Sequence, residues 1–487
     1  MERPQELKKT LGLFQLLAFG VAGVLGASWI YTNSALFSEH GAGGVVLGLA
    51  VAVVLAAFVA LAYAELTTAF PRAGGEVVFS YIALGRRSSF FTGWMLIGAY
   101  VSSLAFYVTA FGYLLERFFP SFAEIPLYTI NDETVTLPIL GAGVILTLIL
   151  LVLNWFGVNI GGQVQLVMFF GIIVIGVSLA VVGFASGSPD NFFPAYYADQ
   201  NPLADTLRFI IPSMTFLAGF GLVAVLAEDS KLTPKKTGFT VVFTVIGAGL
   251  FYCVVLAATA WVYPWQEVAD MELGTVSAFE MAGYTLLSHG AYAIAMLGLL
   301  TSFLGLFVAS SRIIVAMGRA EMLPSGLAKL HPRHGTPTNA LLFTTAVTLA
   351  LGWIGPGAIV WFLDTGGVYL GLVWFMVVVA KYKLPSRYPK MDRPYVSKFS
   401  WLPAIGGIGA LLIIVWAIVP GTGASLVWPA EYLMLGAWLI LGVIMWMLSK
   451  KKSRKESLGA MLGDEVYAQI APFEDDAEQI HSATRES

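Results

Sequence analysis

The chain has 487 residues, of which 57% are hydrophobic and only 12% charged, with a formal net charge of −3. A soluble domain carries about twice that charged fraction, so a water-soluble enzyme and a basic nucleic-acid-binding protein are both excluded. Uncharged apolar runs recur from end to end, each long enough to cross a hydrocarbon core of roughly 30 Å. They are continuous rather than alternating, which selects membrane-spanning helices over a β-barrel.

In chain order, the pattern predicts a charged segment at 1–10 and then twelve spans near 11–37, 45–70, 88–119, 137–153, 163–186, 206–228, 238–263, 288–318, 339–355, 358–381, 401–420 and 428–449. A polar tail, 450–487, follows; its mixed charge predicts little order. Within it, the run Lys450–Lys455 is suited to an anionic leaflet. Twelve crossings put both termini on one side. If that side is the cytoplasm, 25 of the 27 basic residues fall at or near it and only Arg117 and Arg208 lie outside, as the positive-inside rule requires. The expected location is therefore the inner, cytoplasmic membrane, with both termini cytoplasmic. Cys253 is the one cysteine, so no internal disulfide exists.

Span 1 reads Phe19-Gly20-Val21-Ala22-Gly23-Val24-Leu25-Gly26-Ala27-Ser28-Trp29-Ile30, with glycines at intervals of three. Each weakens a helix interior by roughly 1 kcal/mol. Span 6 offers a counterpart in Pro212-Ser213-Met214-Thr215-Phe216-Leu217-Ala218-Gly219-Phe220-Gly221. The spacing suits either close helix packing or two interrupted helices at corresponding places in two five-span halves, a pointer to a transporter site. A half-helix N-terminus offers N–H groups to a carboxylate, and the freed carbonyls suit an ammonium group. An α-amino acid would fill both ends.

Several segments then resemble one family. Tyr63-Ala64-Glu65-Leu66-Thr67-Thr68-Ala69-Phe70-Pro71-Arg72-Ala73-Gly74-Gly75-Glu76 is similar to the signature after span 2 of the amino acid–polyamine–organocation transporter superfamily. Ser311-Arg312, Ala316-Met317-Gly318-Arg319 and Met322-Leu323-Pro324, running on to His331-Pro332 and Thr336-Pro337, resemble its signature after span 8. Asn154 with Gly157, Glu228-Asp229 and Arg393-Pro394 resemble further conserved turns of that family, all in the right order. The resemblance implies an all-α, leucine-transporter-like fold. Spans 1–5 and 6–10 would form a five-plus-five inverted repeat over 11–400, followed by two extra helices over 401–449, working by alternating access without ATP.

Carried over residue by residue, the family's unwound Gly-Ser-Gly matches Gly26-Ala27-Ser28, with serine in place of the last glycine. Its Gly-Phe-Glu in span 6 matches Gly219-Phe220-Gly221, so the glutamate is replaced. The family's aromatic lid falls on Thr215, with Phe216 adjacent. The expected substrate contacts are these residues with Gly23 from span 1 and Ala99 and Ser103 from span 3. Ser103 is equally compatible with ordinary packing.

Relatives that carry a lysine in span 5 use it in place of a sodium ion, and none stands between Gln163 and Ser186. Thr301 and Ser302 in span 8, with carbonyls near Ala22 and Leu25, are an alternative set of oxygen ligands for sodium. The same hydroxyls equally suit bonds back to their own helix. Sodium and a proton both stand as coupling ions, and no cofactor is expected. His289, His331 and His334 lack further ligands, so no metal site is expected. Glu65 suits a structural or gating role and Asp364 an interfacial one, and with no acid evident at mid-membrane a neutral or small polar amino acid is favoured over a polyamine. No span shows the polar lining of a channel or the assembled nucleophile and base of an enzyme. Exchange or uniport of amines, and ligand sensing on the same fold, remain open. The expected partners are a small amino acid or amine and the lipid bilayer; the oligomeric state is not legible.

Overall fold

The computed structural model describes residues 9–486 except 27, 131–132, 157, 356–357, 390, 392, 423–424 and 451. The chain is helical almost throughout. Span 1 is split: α1 (Leu13–Val24) stops at Leu25, and α2 (Ser28–Ala69) resumes three residues later, bending sharply at Gly41, whose φ of 69° is left-handed. The part of α2 beyond Gly41 is span 2. A helix the periodicity did not indicate, α3 (Gly75–Leu84), precedes α4 (Arg86–Glu116), which is span 3.

The expectation of an all-α chain needs one correction. A short antiparallel hairpin, β1 (Pro126–Ile130) with β2 (Glu133–Thr136), links α4 to α5 (Leu137–Phe156). α6 (Val158–Ser186) is span 5, and the short α7 (Pro189–Phe192) follows it. Span 6 is broken into α8 (Pro202–Phe216), a 3₁₀ turn at Ala218–Gly221 and α9 (Leu222–Val225). The break falls at Leu217–Gly221, where Gly219 and Gly221 lie, while Pro212 is carried inside α8.

Spans 7 to 12 correspond to α10 (Pro234–Val262), α13 (Thr285–Arg319), α14 (Thr338–Gly352), α15 (Ile359–Arg387), α16 (Leu402–Ile418) and α17 (Ala430–Leu448). The small α11 (Trp265–Ala269) and α12 (Gly274–Met281) lie between spans 7 and 8. Among the described residues, nine helical segments are long and apolar enough to cross a membrane; α3, α14 and α16 are shorter apolar helices. The α4 helix and the α8–α9 stretch are almost wholly buried at the centre, while α6 and α17 lie at the periphery. On α6, Val167, Val174 and Val181 recur every seven residues and are more than half exposed, a stripe that needs an apolar solvent.

The tail corrects the expectation of disorder. It forms α18 (Arg454–Glu486), broken at Gly463 (φ 68°), with Leu458, Met461 and Leu462 buried before the break and Val466 and Ile470 after it. Arg454 turns inward rather than toward a leaflet, donating to the carbonyls of Tyr81 and Ile82 at the end of α3 and to both carboxyl oxygens of Glu474, at 2.8 and 3.0 Å. Burial pushes the Glu474 carboxyl up, but the bonds from Arg454 and Tyr388 outweigh it and hold it below its usual range. A carboxyl held down in the folded form stabilises docking above its unfolded pKa and loses that contribution as pH falls through the folded value. Arg454→Ala is expected to expose the tail to limited proteolysis on the order of tenfold faster at neutral pH, since a hydrogen bond to a charged group contributes about 1.5–3 kcal/mol. Acidification below the carboxyl range should do the same to the unsubstituted chain. Equal cleavage rates for the two proteins at neutral pH would show that Arg454 does not hold the tail.

Candidate functional site

The two breaks meet. At the end of α1, the Leu25 N–H still bonds to Val21 O (2.7 Å), but the Gly26 N–H turns back to Val24 O (2.7 Å). At the end of α8, the Leu217 N–H is shared between the carbonyls of Ser213 and Met214, both at 3.1 Å. A Cβ on Gly219 would stand 2.1 Å from the carbonyl carbon of Gly23 and 2.2 Å from the amide nitrogen of Val24. Backbone lies against backbone there, and only glycine at 219 permits it. Both breaks expose chain-end N–H and C=O groups that a regular helix would pair internally.

Beside this contact lies a small cavity. It is walled by Gly23 and Val24 from α1, Ser102, Ser103, Phe106 and Tyr107 from α4, and Thr215, Phe216 and Ala218 from the second break, with Leu306, Phe362 and Leu363 from α13 and α15. Its lining is apolar side chains and hydroxyls, without a charged group. Gly23, Ser103, Thr215 and Phe216 are thus brought together as the sequence indicated. The Ser103 hydroxyl donates to Ala99 O on its own helix, 3.3 Å, and Ala99 itself is buried off the cavity wall. The Thr215 hydroxyl donates to Leu363 O, 2.5 Å, joining the second break to α15.

Gly26 is set off the cavity; a Cβ there would stand 2.5 Å from the Tyr107 hydroxyl and 3.1 Å from Ser302 Oγ. Phe220 packs between Tyr63 and Trp374, with ring centroids 5.1 and 5.4 Å away. Gly221 lies against the Glu76 carboxyl. Ala27 lies outside the described residues, as do the side chains of Ala22 and Ser28. Phe106 and Tyr107 were within reach of the sequence, since they continue the face of Ser102 and Ser103 one turn on. Phe362 and Leu363 come from a helix whose facing edge nothing in its apolar pattern marks.

The hydroxyls of Thr301 and Ser302 bond differently. The Thr301 hydroxyl donates to Gly298 O on its own helix, 3.0 Å, whereas the Ser302 hydroxyl reaches Gly23 O across the gap to α1, 3.5 Å. Leu25 is fully buried in the wall of the break. Gln165 from α6, which the sequence reading passed over, donates to Thr301 O at 3.0 Å. Tyr252 from α10 donates to Val24 O at the break.

A second constellation lies at the end of the bundle that carries Arg72, Arg312 and Arg319. There the separate signature segments converge. Arg312 pairs with Asp229 at 3.5 Å and Arg319 with Glu228 at 3.4 Å, and the Glu228 carboxylate also accepts the Ala73 N–H at 3.0 Å. The N–H groups of Thr10 and Leu11 donate to Asp229 O at 2.9 and 3.0 Å. Glu65 pairs with Arg393 at 3.0 Å, which fits the structural or gating reading of Glu65. Asp364, at the opposite end, borders a separate recess with Glu39, His40 and Arg208.

Comparison with known proteins gives the family. The chain matches the amino acid permease family over residues 11–446. It is 25% identical to the branched-chain amino acid permease of Lactococcus lactis, covering 90% of this chain and 94% of the relative. It is also 25% identical to the branched-chain amino acid permease of Bacillus subtilis, over 93% and 95% of the two chains. The glutamate/serine transporter of Bacillus subtilis is 25% identical over 86% and 80% of the two chains. The chain belongs to the amino acid permease family, within the amino acid–polyamine–organocation superfamily, and is a membrane transport protein rather than an enzyme.

Proposed function

Given that membership, we propose that the chain carries neutral amino acids across the cytoplasmic membrane by alternating access, with both termini on the cytoplasmic side. The observation that carries this reading is the cavity at the Gly23–Gly219 contact, where two broken helices meet beside a wall of hydroxyls and apolar side chains. The resumed helix at Ser28 offers N–H groups to an α-carboxylate, and the carbonyls freed at the breaks accept from an α-ammonium group. The side chain would lie toward Phe106, Phe216, Leu306 and Phe362, and the absence of charge from the lining disfavours lysine, glutamate and polyamines. Two of the relatives are named for branched-chain substrates, which fits an apolar pocket.

The architecture behind this reading is twelve crossings: two inverted five-helix repeats and two further helices. The first crossing would be the broken α1 with the start of α2. α14 and α16, at 15 and 17 residues, reach about 22–26 Å at 1.5 Å per residue, which slight thinning of the bilayer accommodates. The pairs Arg312–Asp229 and Arg319–Glu228 would act as a cytoplasmic latch that opens to release substrate.

Counterflow in sealed liposomes tests the substrate class: leucine, isoleucine and valine are expected to compete with one another, and stronger competition by lysine or putrescine would overturn the neutral reading. Sensing without transport is the other outcome that this assay separates, since a pure sensor binds ligand but moves none. Thr301→Ala is expected to keep uptake within about twofold and its ion dependence unchanged, because its hydroxyl bonds back to its own helix and such a bond is worth only about 1 kcal/mol. Loss of sodium dependence in that variant would make Thr301 an ion ligand.

A further inference from the structure

Glu76 closes the signature segment after span 2, yet the site described above makes no use of its carboxyl. It stands in the first turn of α3 and is 0% exposed, and neither carboxyl oxygen has a partner in good hydrogen-bonding geometry among the described residues. Its Oε1 lies 2.6 Å from where a Cβ on Gly221 would be. The carboxyl therefore fills the space beside the glycine that replaces the family's span 6 glutamate, at the second break itself.

Among the described residues no cationic side chain faces it. The titratable groups that face it are the hydroxyls of Tyr63 on α2 and Tyr100 on α4. Of the other elements packed on α3, α9 carries no titratable residue. Of the charged groups on the remaining three, Arg312 and Arg319 on α13 pair with Asp229 and Glu228, Lys381 and Arg387 on α15 reach Ser400 O and Glu474, Asp364 on α15 borders the recess at the opposite end, and Arg454 on α18 bonds to Glu474 and the far end of α3. An ionised carboxylate taken out of water without a cation or full hydrogen bonding costs several kcal/mol or more, whereas a neutral carboxyl does not. In this arrangement burial favours the group with its proton on. Rearrangement of the adjoining break is what would admit water and let the proton leave.

We infer that Glu76 is the proton-binding group of the transport cycle. Its carboxylate takes one proton from water on the side where substrate enters, carries it as a neutral carboxyl through the closed state, and returns it to water on the other side. One proton accompanies each passage, and no other bond changes. The inference rests on the transport reading above.

The test uses the full chain in sealed liposomes. With an inward gradient of one pH unit, the unsubstituted protein should accumulate a neutral amino acid by up to about tenfold, the ratio one coupled proton can supply, and a protonophore should abolish this. Glu76→Gln should keep substrate counterflow and lose gradient-driven accumulation. It should also lose the pH-dependent infrared band of a protonated carboxyl, a readout that needs no transport. Accumulation by Glu76→Gln equal to that of the unsubstituted protein, or persistence of the band, overturns the assignment. If neither protein moves an amino acid, the transport reading fails and the band alone decides for or against Glu76. Should Glu76→Gln not fold, Glu76→Ala combined with Gly221→Glu returns the carboxyl from the opposite wall, where φ of −64° accepts any side chain. Recovery of gradient-driven accumulation supports the proton role, and a folded double variant without it counts against that role.

Discussion

Gly219→Ala is expected to lower both substrate binding and counterflow about 100-fold, because an added methyl group there forces the two broken segments apart and a displacement of about 1 Å at a binding site can cost that much. The atoms in its way, at 2.1 and 2.2 Å, are backbone atoms of Gly23 and Val24 that cannot rotate aside. The same substitution at Gly23 meets first the flexible end of Leu222 at 3.1 Å and then Gly219 Cα at 3.4 Å, so its effect should be small. Radioligand binding to the two purified variants checks this contrast. Equal losses in the two would mean that the breaks are held by something other than this contact.

Arg312→Met is expected to be severely destabilising, by about 3–5 kcal/mol, because it strands Asp229 as a buried charge without its partner. Both side chains are only 4% exposed. A loss of that size should lower the thermal midpoint in detergent by on the order of 10 °C. Adding Asp229→Leu should recover much of the loss, since an apolar pair is often no less stable than a buried ion pair. The main-chain bonds from Thr10 and Leu11 to Asp229 O do not depend on either side chain and should survive in the double variant. The same double variant keeps only the Arg319–Glu228 pair of the proposed latch, so its transport should become less sensitive to which side is loaded first. If the double variant is no more stable than Arg312→Met alone, the pair is not the reason for the loss.

The breaks were legible because glycine at Gly20, Gly23 and Gly26, and at Gly219 and Gly221, writes a local weakness into an apolar run. The signature segments were legible as a resemblance, but not what joins them: 155 residues separate Ala73 from Glu228, and only the fold brings them to 3.0 Å. α18 was missed because its net polarity outweighs its buried apolar residues, Leu458, Met461 and Leu462 before the break at Gly463 and Val466 and Ile470 after it. Glu76 could not be placed from its neighbours in sequence. Its meaning comes from Gly221, which lies in another part of the chain and reaches it only through tertiary packing.

Counterflow of a labelled neutral amino acid by the purified chain, in sealed liposomes preloaded with the same unlabelled compound, tests the central claim most directly. The account predicts saturable entry of leucine, isoleucine or valine that is lost in Gly219→Ala and retained in Thr301→Ala. A correctly inserted, folded chain that binds these amino acids but moves none, or whose Gly219→Ala variant moves them as fast, would contradict it.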